Sequence, residues 1–355
     1  MADTRIPQLD GLRAFAFLAV FAHHALKMPL GWLGVDMFFV LSGFLITRNL
    51  LELRATNPTS TGLKVFFFRR LLRIIPPYYL AITLVLLVTH HAYEMRWYYL
   101  FVSNIHDVTA HVDGGPLGAM WSIAVEEQFY FLWPWLVLTL PRRSLEFVFL
   151  ALILATPGVR LIMQSVDREA IYRLTPSRMD LLAAGALLTT FDLRSPAWIA
   201  DRRRLFAIVA AAATAVFIGL TAIDPDFRSQ VNEALFNTIG YSLSVVMFGA
   251  LLAYVRATES GVLHKVLSHS WIRYIGRISY MGYLTHKLFL ELLTKSQHFS
   301  RVAVAVLALV STLVFSTLTW YLIERPILGL RGRVSRTPLE PGGATEGAVA
   351  SRAAV

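Results

Sequence analysis

The sequence predicts an all-α, polytopic membrane protein with about ten transmembrane helices and both termini in the cytoplasm. Three observations carry that prediction. The 355 residues are 56% hydrophobic and only 16% charged, whereas a soluble domain is usually about a quarter charged. The apolar residues fall in repeated runs long enough to cross a hydrocarbon core. Most of the 33 Lys and Arg residues lie in alternate connections, as cytoplasmic loops require. That distribution accounts for the formal net charge of +10 as membrane topology, and no nucleic-acid partner is expected. Cysteine is absent, which excludes disulfides, thiol chemistry and Cys-ligated metal.

The expected spans are roughly 11–29, 33–51, 74–90, 119–140, 145–163, 178–192, 205–223, 236–255, 274–294 and 301–323. A short polar start without a small-residue cleavage site precedes the first, so it is expected to remain as a span. The basic connections are Arg48 to Arg73, Arg142-Arg143, Arg194 with Arg202 to Arg204, and Arg256 to Arg277. The opposite connections hold Asp107, Asp113, Asp167, Glu169, Asp224, Asp226 and Glu233.

The first span runs from Asp10-Gly11-Leu12-Arg13 to His23-His24. Ionisable groups inside a span are costly and suggest function. Arg13 and His24 are close to three whole turns apart, so they share a face and lie about 16 Å from each other. A cation at the surface with a possible base below it suits a long anionic donor lying along the helix. A snorkelling arginine, with histidines that only bond neighbouring helices, explains the same residues.

Asp36 opens the second span, where the helix dipole favours a carboxylate and catalysis is the competing reading. Ser42 and Gly43 let helices approach closely. Before the third span, Arg70 with Arg73, or Arg69 with Arg73, can share a helical face. Arginine forks suit phosphate oxygens. An interfacial helix pinned to anionic membrane lipid explains them equally. In the outer loop 91–118, Trp97, Tyr98 and Tyr99 form an interfacial belt. His106, His111, Asp107 and Asp113, with His90 and His91 beside them, show no ligand spacing, and no metal is expected.

The fourth span carries Ser122, Glu126 and Glu127. Adjacent carboxyls inside a span are hard to explain by packing, and Ser122 shares a face with Glu126. Ser177-Arg178-Met179-Asp180 opens the sixth span, as a local ion pair or a substrate contact. The ninth carries Ser279-Tyr280-Met281-Gly282-Tyr283-Leu284-Thr285-His286, with His286 near mid-membrane. The tenth ends Glu324-Arg325-Pro326, where the proline is expected to stop the helix. Residues 5–327 are then the membrane domain, and 328–355 a disordered cytoplasmic tail.

These stretches, in this order, resemble the acyltransferase-3 family of integral membrane O-acyltransferases, which act on O-antigen and exopolysaccharides, nodulation factors, peptidoglycan and macrolides. The pieces that carry the resemblance are Asp10 to Arg13 with His24, Gly34 to Phe44, Arg70 to Pro76, Trp121 to Tyr130, Ser177 to Asp180, Ser279 to His286 and Glu324 to Pro326. No single piece is specific; seven in order are. The resemblance marks His24 as catalytic base and places Arg13, Arg70 and Arg73 on an acyl-CoA donor. Arg69 adds a third arginine to that cluster. Asp36, Glu126 and Glu127 match the family's carboxylates. Many members carry a fused SGNH hydrolase-like domain; none is expected within these residues, which leaves the acceptor open.

The resemblance implies a cytoplasmic-membrane enzyme that moves an acyl group, most often acetyl, from acyl-CoA to a hydroxyl. The acceptor classes are a carbohydrate, a lipid-linked glycan or a macrolide-type metabolite. His24 takes the hydroxyl proton, oriented by Glu126 or Glu127, and Ser122 or Trp121 steadies the oxyanion. Asp36, Arg178 and Asp180 at the outer face, with Ser122 and His286, hold the acceptor. A proton-coupled secondary transporter is the competing class, since buried carboxylates and histidines also build proton relays. The span lengths show no inverted repeat to support it.

Overall fold

The computed structural model describes residues 6–89, 94–224, 227, 234–295 and 299–330, except the side chains of Val166 and Arg168. His90, His91, Asp226, Glu233 and the tail from 331 onward lie outside the described residues.

Among the described residues the chain is helical throughout, without a strand. The helices are α1 (Pro7–Leu26), α2 (Leu33–Thr56), α3 (Thr59–Thr89), α4 (Met95–Tyr99), α5 (Ser103–Thr109), α6 (Met120–Thr139), α7 (Arg142–Val166) and α8 (Arg168–Arg173). They continue as α9 (Met179–Arg194), α10 (Pro196–Asp201), α11 (Arg203–Ile223), α12 (Tyr241–Ala257), α13 (Val262–Ser268), α14 (Ser270–Lys295), α15 (Arg301–Thr319) and α16 (Arg325–Gly329). Each of the ten expected spans falls largely on a helix; the first is expected to run to 29, whereas α1 ends at Leu26, and the last position of the third lies outside the described residues. Seven of those helices are long and apolar enough to cross a bilayer: α1, α2, α3, α7, α11, α12 with the π-helical turn before it, and α15 with its continuation. The other three fall short for physical reasons. Helix α9 has only 16 residues, α14 is divided between a polar and an apolar face, and α6 spends much of its length on Trp, Tyr, Glu and Pro. Phe147, Leu154, Ile162, Ile208 and Val306 are all more than half exposed on these helices, as bundle surfaces facing lipid are. The chain is a multi-pass membrane protein on these grounds.

Two further boundaries differ from expectation. The arginine-bearing segment before the third span is not a separate surface helix. It is continuous with the span in the 31-residue α3, which holds Pro76 and Pro77 in its interior. Prolines there deprive carbonyls one turn earlier of their helical donors, at the level of Arg73. At the other end, Pro326 does not stop the last helix. A π-helical turn at Trp320–Glu324 carries α15 into α16, and Pro326 falls in the first turn of α16, where its missing N–H costs nothing.

The centre of the bundle is α2, packed against α9 on one side and α1 on another. Gly43 of α2 backs onto the Leu182 carbonyl, and Gly185 of α9 backs onto the Val40 carbonyl. A Cβ at either glycine would overlap the facing backbone, so the two helices touch main chain to main chain. Gly276 of α14 meets the Asp10 carbonyl of α1 in the same way. These approaches put the polar residues of α1, α2, α6 and α14 around one central space.

Gly43→Val and Gly185→Val are therefore expected to destabilise the protein by about 1–3 kcal/mol through overpacking. Gly158→Ala, at a glycine inside α7 with open space around it, should raise stability by about 0.5–1 kcal/mol. Thermal midpoints of the purified proteins in detergent check this; a wild-type midpoint for Gly43→Val would show that α2 and α9 do not touch there.

Candidate active site

Two cavities occupy the central space. The first, of about 270 Å³, is lined by Arg13, Arg69, Arg70 and Arg73 and by Ser42, Ser122, Glu126, Glu127, Tyr280 and Tyr283. Phe38, Phe39, Leu45 and Ile74 supply apolar wall. Its charged groups are held in place. The Arg70 guanidinium lies 3.7 Å from the centre of the Tyr130 ring, a stacking contact in which a cation meets the aromatic face. The Tyr130 hydroxyl donates to Glu126 Oε2 at 2.9 Å, and Ser42 donates to Glu126 Oε1 at 2.7 Å. Two buried donors lining the cavity, Arg13 Nε and the Tyr280 hydroxyl, have no hydrogen-bond partner among the described residues.

The second cavity, of about 380 Å³, is lined by His23, His24, Asp113, Glu169, Arg173 and Lys287, with Trp32, Trp121 and Tyr172 as aromatic wall. Trp121 and Tyr172 meet with ring centres 4.6 Å apart. Lys287 Nζ and Asp113 Oδ1 are 3.5 Å apart across its edge. Both groups press on Gly118, where a Cβ would lie 2.5 and 2.6 Å from them. Val35 and Tyr283 line both cavities.

His24 reaches the second cavity from the last turn of α1 and is exposed there. Its Nδ1 is 3.0 Å from Nε2 of the buried His286. Nδ1 of His286 is 2.7 Å from the Tyr283 carbonyl. A carbonyl can only accept, so His286 carries its proton on Nδ1. In a neutral ring its Nε2 is then an acceptor, and His24 must donate from Nδ1. The remaining nitrogen, Nε2 of His24, is left with its lone pair. His23 does a different job: its Nδ1 donates to the Met28 carbonyl at 2.9 Å, closing the turn after α1.

The structure thus brings Arg13, Arg70, Arg73, Ser122, Glu126 and Glu127 onto the first cavity and His24 onto the second. His286 lies behind His24 and lines neither cavity. The partner it gives His24 replaces the glutamates expected in that place, since Glu126 is engaged by Ser42 and Tyr130. Asp36, Arg178 and Asp180 also line neither cavity. They are fully buried in two ion pairs. Arg178 pairs with Asp36, not with its chain neighbour Asp180. Ser244 of α12 donates to the other Asp36 oxygen at 2.7 Å. Asp180 instead pairs with Arg160 of α7 at 2.7 Å. Sequence reasoning passed over Arg160, although a lone arginine in an apolar span was signal enough. It names Tyr283 within the Ser279 to His286 stretch without a role, and the place of Tyr283 and Lys287 follows only from how α14 docks.

Near the second cavity, Arg173 pairs with Asp107 of α5 at 3.1 Å. Burial pushes the Asp107 carboxyl up to about 6, against the pull of Arg173. Among the described residues no three His, Asp or Glu side chains are grouped for a metal ion.

The family model described as an acyltransferase domain matches residues 6–321. The peptidoglycan O-acetyltransferase OatA of Listeria monocytogenes is 31% identical over 91% of this chain and 56% of its own length. A putative O-acetyltransferase of Staphylococcus aureus is 28% identical over 90% of the chain and 57% of its own length. The putative peptidoglycan O-acetyltransferase YrhL of Bacillus subtilis is 28% identical over 91% of the chain and 55% of its own length. The chain therefore spans little more than half the length of these relatives. No solved structure matches it.

Removing one partner of a buried ion pair leaves an uncompensated charge at a cost of about 3–5 kcal/mol. Arg178→Ala should lower the thermal midpoint accordingly, and adding Asp36→Asn should recover part of the loss; additive losses would mean the two groups are not coupled. Asp107 gives a pH signature. Its folded-state carboxyl holds a proton that the unfolded chain releases near pH 4. Stability should fall as pH rises from about 4 to about 6, and Asp107→Asn should flatten that slope in a pH series of unfolding midpoints.

Proposed function

The chain belongs to the acyltransferase family, and from that premise we propose that it transfers an acyl group from acyl-CoA to a hydroxyl of a carbohydrate. The observation that carries this reading is the pair of cavities meeting at Tyr283, one rimmed with arginines and the other holding the lone pair of His24. In the proposed topology the arginine-rich mouth and both termini face the cytoplasm, and α6, α9 and α14 complete ten spans in the cytoplasmic membrane.

Acyl-CoA fits the first cavity by its chemistry. Arg13, Arg70 and Arg73 meet its phosphates, and guanidinium forks suit those oxygens. The unpartnered Tyr280 hydroxyl and Arg13 Nε offer donors to the amides and phosphates of the donor's arm, while Phe38, Phe39 and Ile74 cover its apolar stretches. The carbohydrate enters the second cavity, where Trp121, Trp32 and Tyr172 present aromatic faces to a sugar ring. The relatives are named for O-acetylation, two of them for peptidoglycan. We accordingly assign acetyl as the group and a peptidoglycan-type sugar as the acceptor class.

The chemistry follows from the lone pair. The acceptor hydroxyl gives its proton to His24 Nε2 as its oxygen attacks the thioester carbonyl. The new C–O bond forms, the C–S bond breaks, and the proton ends on the CoA thiol. His286 fixes the tautomer and aim of His24 and acts as a positioning residue. Ser122, beside Tyr283, is placed to donate to the carbonyl oxygen as its charge develops. The buried pairs Asp36–Arg178 and Asp180–Arg160 hold the walls and do not touch substrate.

His24→Ala should lower transfer by about 10²–10⁴-fold, the range for losing a general base, in a protein that still folds, with a modest fall in thermal midpoint because the buried His286 Nε2 loses its partner. Arg70→Ala and Arg73→Ala should raise KM for acetyl-CoA, and the penalty should shrink when desphospho-CoA competes in place of CoA. Radiolabelled transfer to a muropeptide acceptor, with CoA titrations by thermal shift, measures both. Full activity of His24→Ala would remove the base from this mechanism; absence of CoA binding by the folded protein would remove the donor.

A further inference from the structure

Tyr283 is the side chain on which the two cavities, the serine and the histidines converge. It is 5% exposed and lines both cavities. Its hydroxyl lies 2.6 Å from Ser122 Oγ and 3.3 Å from the Ala119 carbonyl, so it is latched onto the start of α6. Its ring stands edge-on to Phe38 of α2, with centres 5.9 Å apart. Its own carbonyl takes the proton of His286, which aims His24. Tyr283 therefore spans the gap between α14, α6 and α2 at the level where one cavity gives way to the other. Val35, the other residue common to both, is too short to close that gap.

We propose that Tyr283 is the partition between the two cavities, a positioning residue that keeps water in the second cavity away from a thioester in the first. This rests on the acyltransferase reading for its chemical consequence, but the partition itself does not. A thioester exposed to water is lost by hydrolysis: water oxygen bonds to the acyl carbon, the C–S bond breaks, and acetate and CoA thiol result. Closing a site against that side reaction is a recognised task of enclosing residues. Ser122 Oγ also donates to the Ala119 carbonyl at 3.0 Å. An acyl carbonyl that takes the Ser122 proton breaks that bond, and the Tyr283 hydroxyl can still donate to Ser122 Oγ or to Ala119.

The absence of cysteine makes the test direct. Ser42→Cys places one thiol in the first cavity. In sealed proteoliposomes of fixed orientation, a small charged membrane-impermeant methanethiosulfonate is added to one face or the other. With Tyr283 intact, the thiol should react from the arginine-rich face only. With Tyr283→Ala added, it should react from both. Tyr283→Phe, which keeps the ring and loses the latch, should give an intermediate rate from the far face, and it decides the matter if the alanine variant does not fold. Labelling of Ser42→Cys from both faces with Tyr283 intact, or far-face labelling unchanged in the folded variants, would overturn the partition. A second readout follows acetyl-CoA without acceptor. Tyr283→Ala should release acetate severalfold faster than wild type, which a merely structural loss would not do. If the wild type consumes no acetyl-CoA even with acceptor, the acyltransferase reading fails, and the labelling result still decides the partition.

Discussion

The pairing of Asp36 with Arg178 is the constraint on which the rest of this structure depends. Two opposite charges at zero exposure in an apolar bundle have no water to fall back on, so each must find the other or raise the energy of the fold by several kcal/mol. Asp36 stands in the first turn of α2, and Arg178 immediately precedes α9. Their pair, with Ser244 of α12, pins three helices at one end. Asp192 repeats the device at the other end, where Arg48 of α2 reaches it at 2.8 Å and Arg256 of α12 at 2.9 Å. Between these two clamps the glycines of α2 and α9 bring the backbones together. The face of α2 that remains, from Val35 through Phe38 and Phe39 to Ser42, becomes one wall of the first cavity.

That arrangement gives Glu126 of α6 a partner from outside its own helix. Ser42 is fixed by the position of α2, and it holds Glu126. Tyr130 holds the other Glu126 oxygen and stacks under Arg70, which sits on α3. A carboxylate, a phenol, a hydroxyl and a guanidinium from three helices thus form one connected group. Such a network is costly when half satisfied and rigid when complete.

The legible part of this protein was the part written within single helices. Length and apolar content placed the expected spans largely on helices. The eleven-residue interval predicts one shared face for Arg13 and His24, whereas the structure sets Arg13 on the first cavity and His24 on the second. What could not be read was partnership. Arg178 and Asp180 are two residues apart and look like a local pair, yet each bonds a residue on another helix. Residues two apart on a helix point about 200° from each other, so the two side chains meet different neighbours. His24 meets His286 across 262 residues of chain, and no periodicity in either helix encodes that. The last helix was misjudged for a related reason. A π-helical turn shifts the hydrogen-bond register before Pro326, and a rule that reads proline against an α register does not foresee it.

The histidine pair also constrains the proposed chemistry. A base oriented by a carboxylate has a counter-charge at hand for the imidazolium that forms when it takes a proton. His24 is oriented instead by a buried neutral ring whose other nitrogen is tied to a carbonyl, and Lys287 stands beside it in the same cavity. Nothing in this pair of rings stabilises a lasting positive charge. In the proposed mechanism a proton accepted from the acceptor hydroxyl moves on to the departing thiolate as the C–S bond breaks, while Asp113 and Glu169 supply the carboxylates of the same cavity. The geometry also gives a reason for the acceptor and the thioester to meet at a single wall. The proton has to cross from the cavity of His24 to the cavity of the donor, and Tyr283 and Val35 are where the two adjoin.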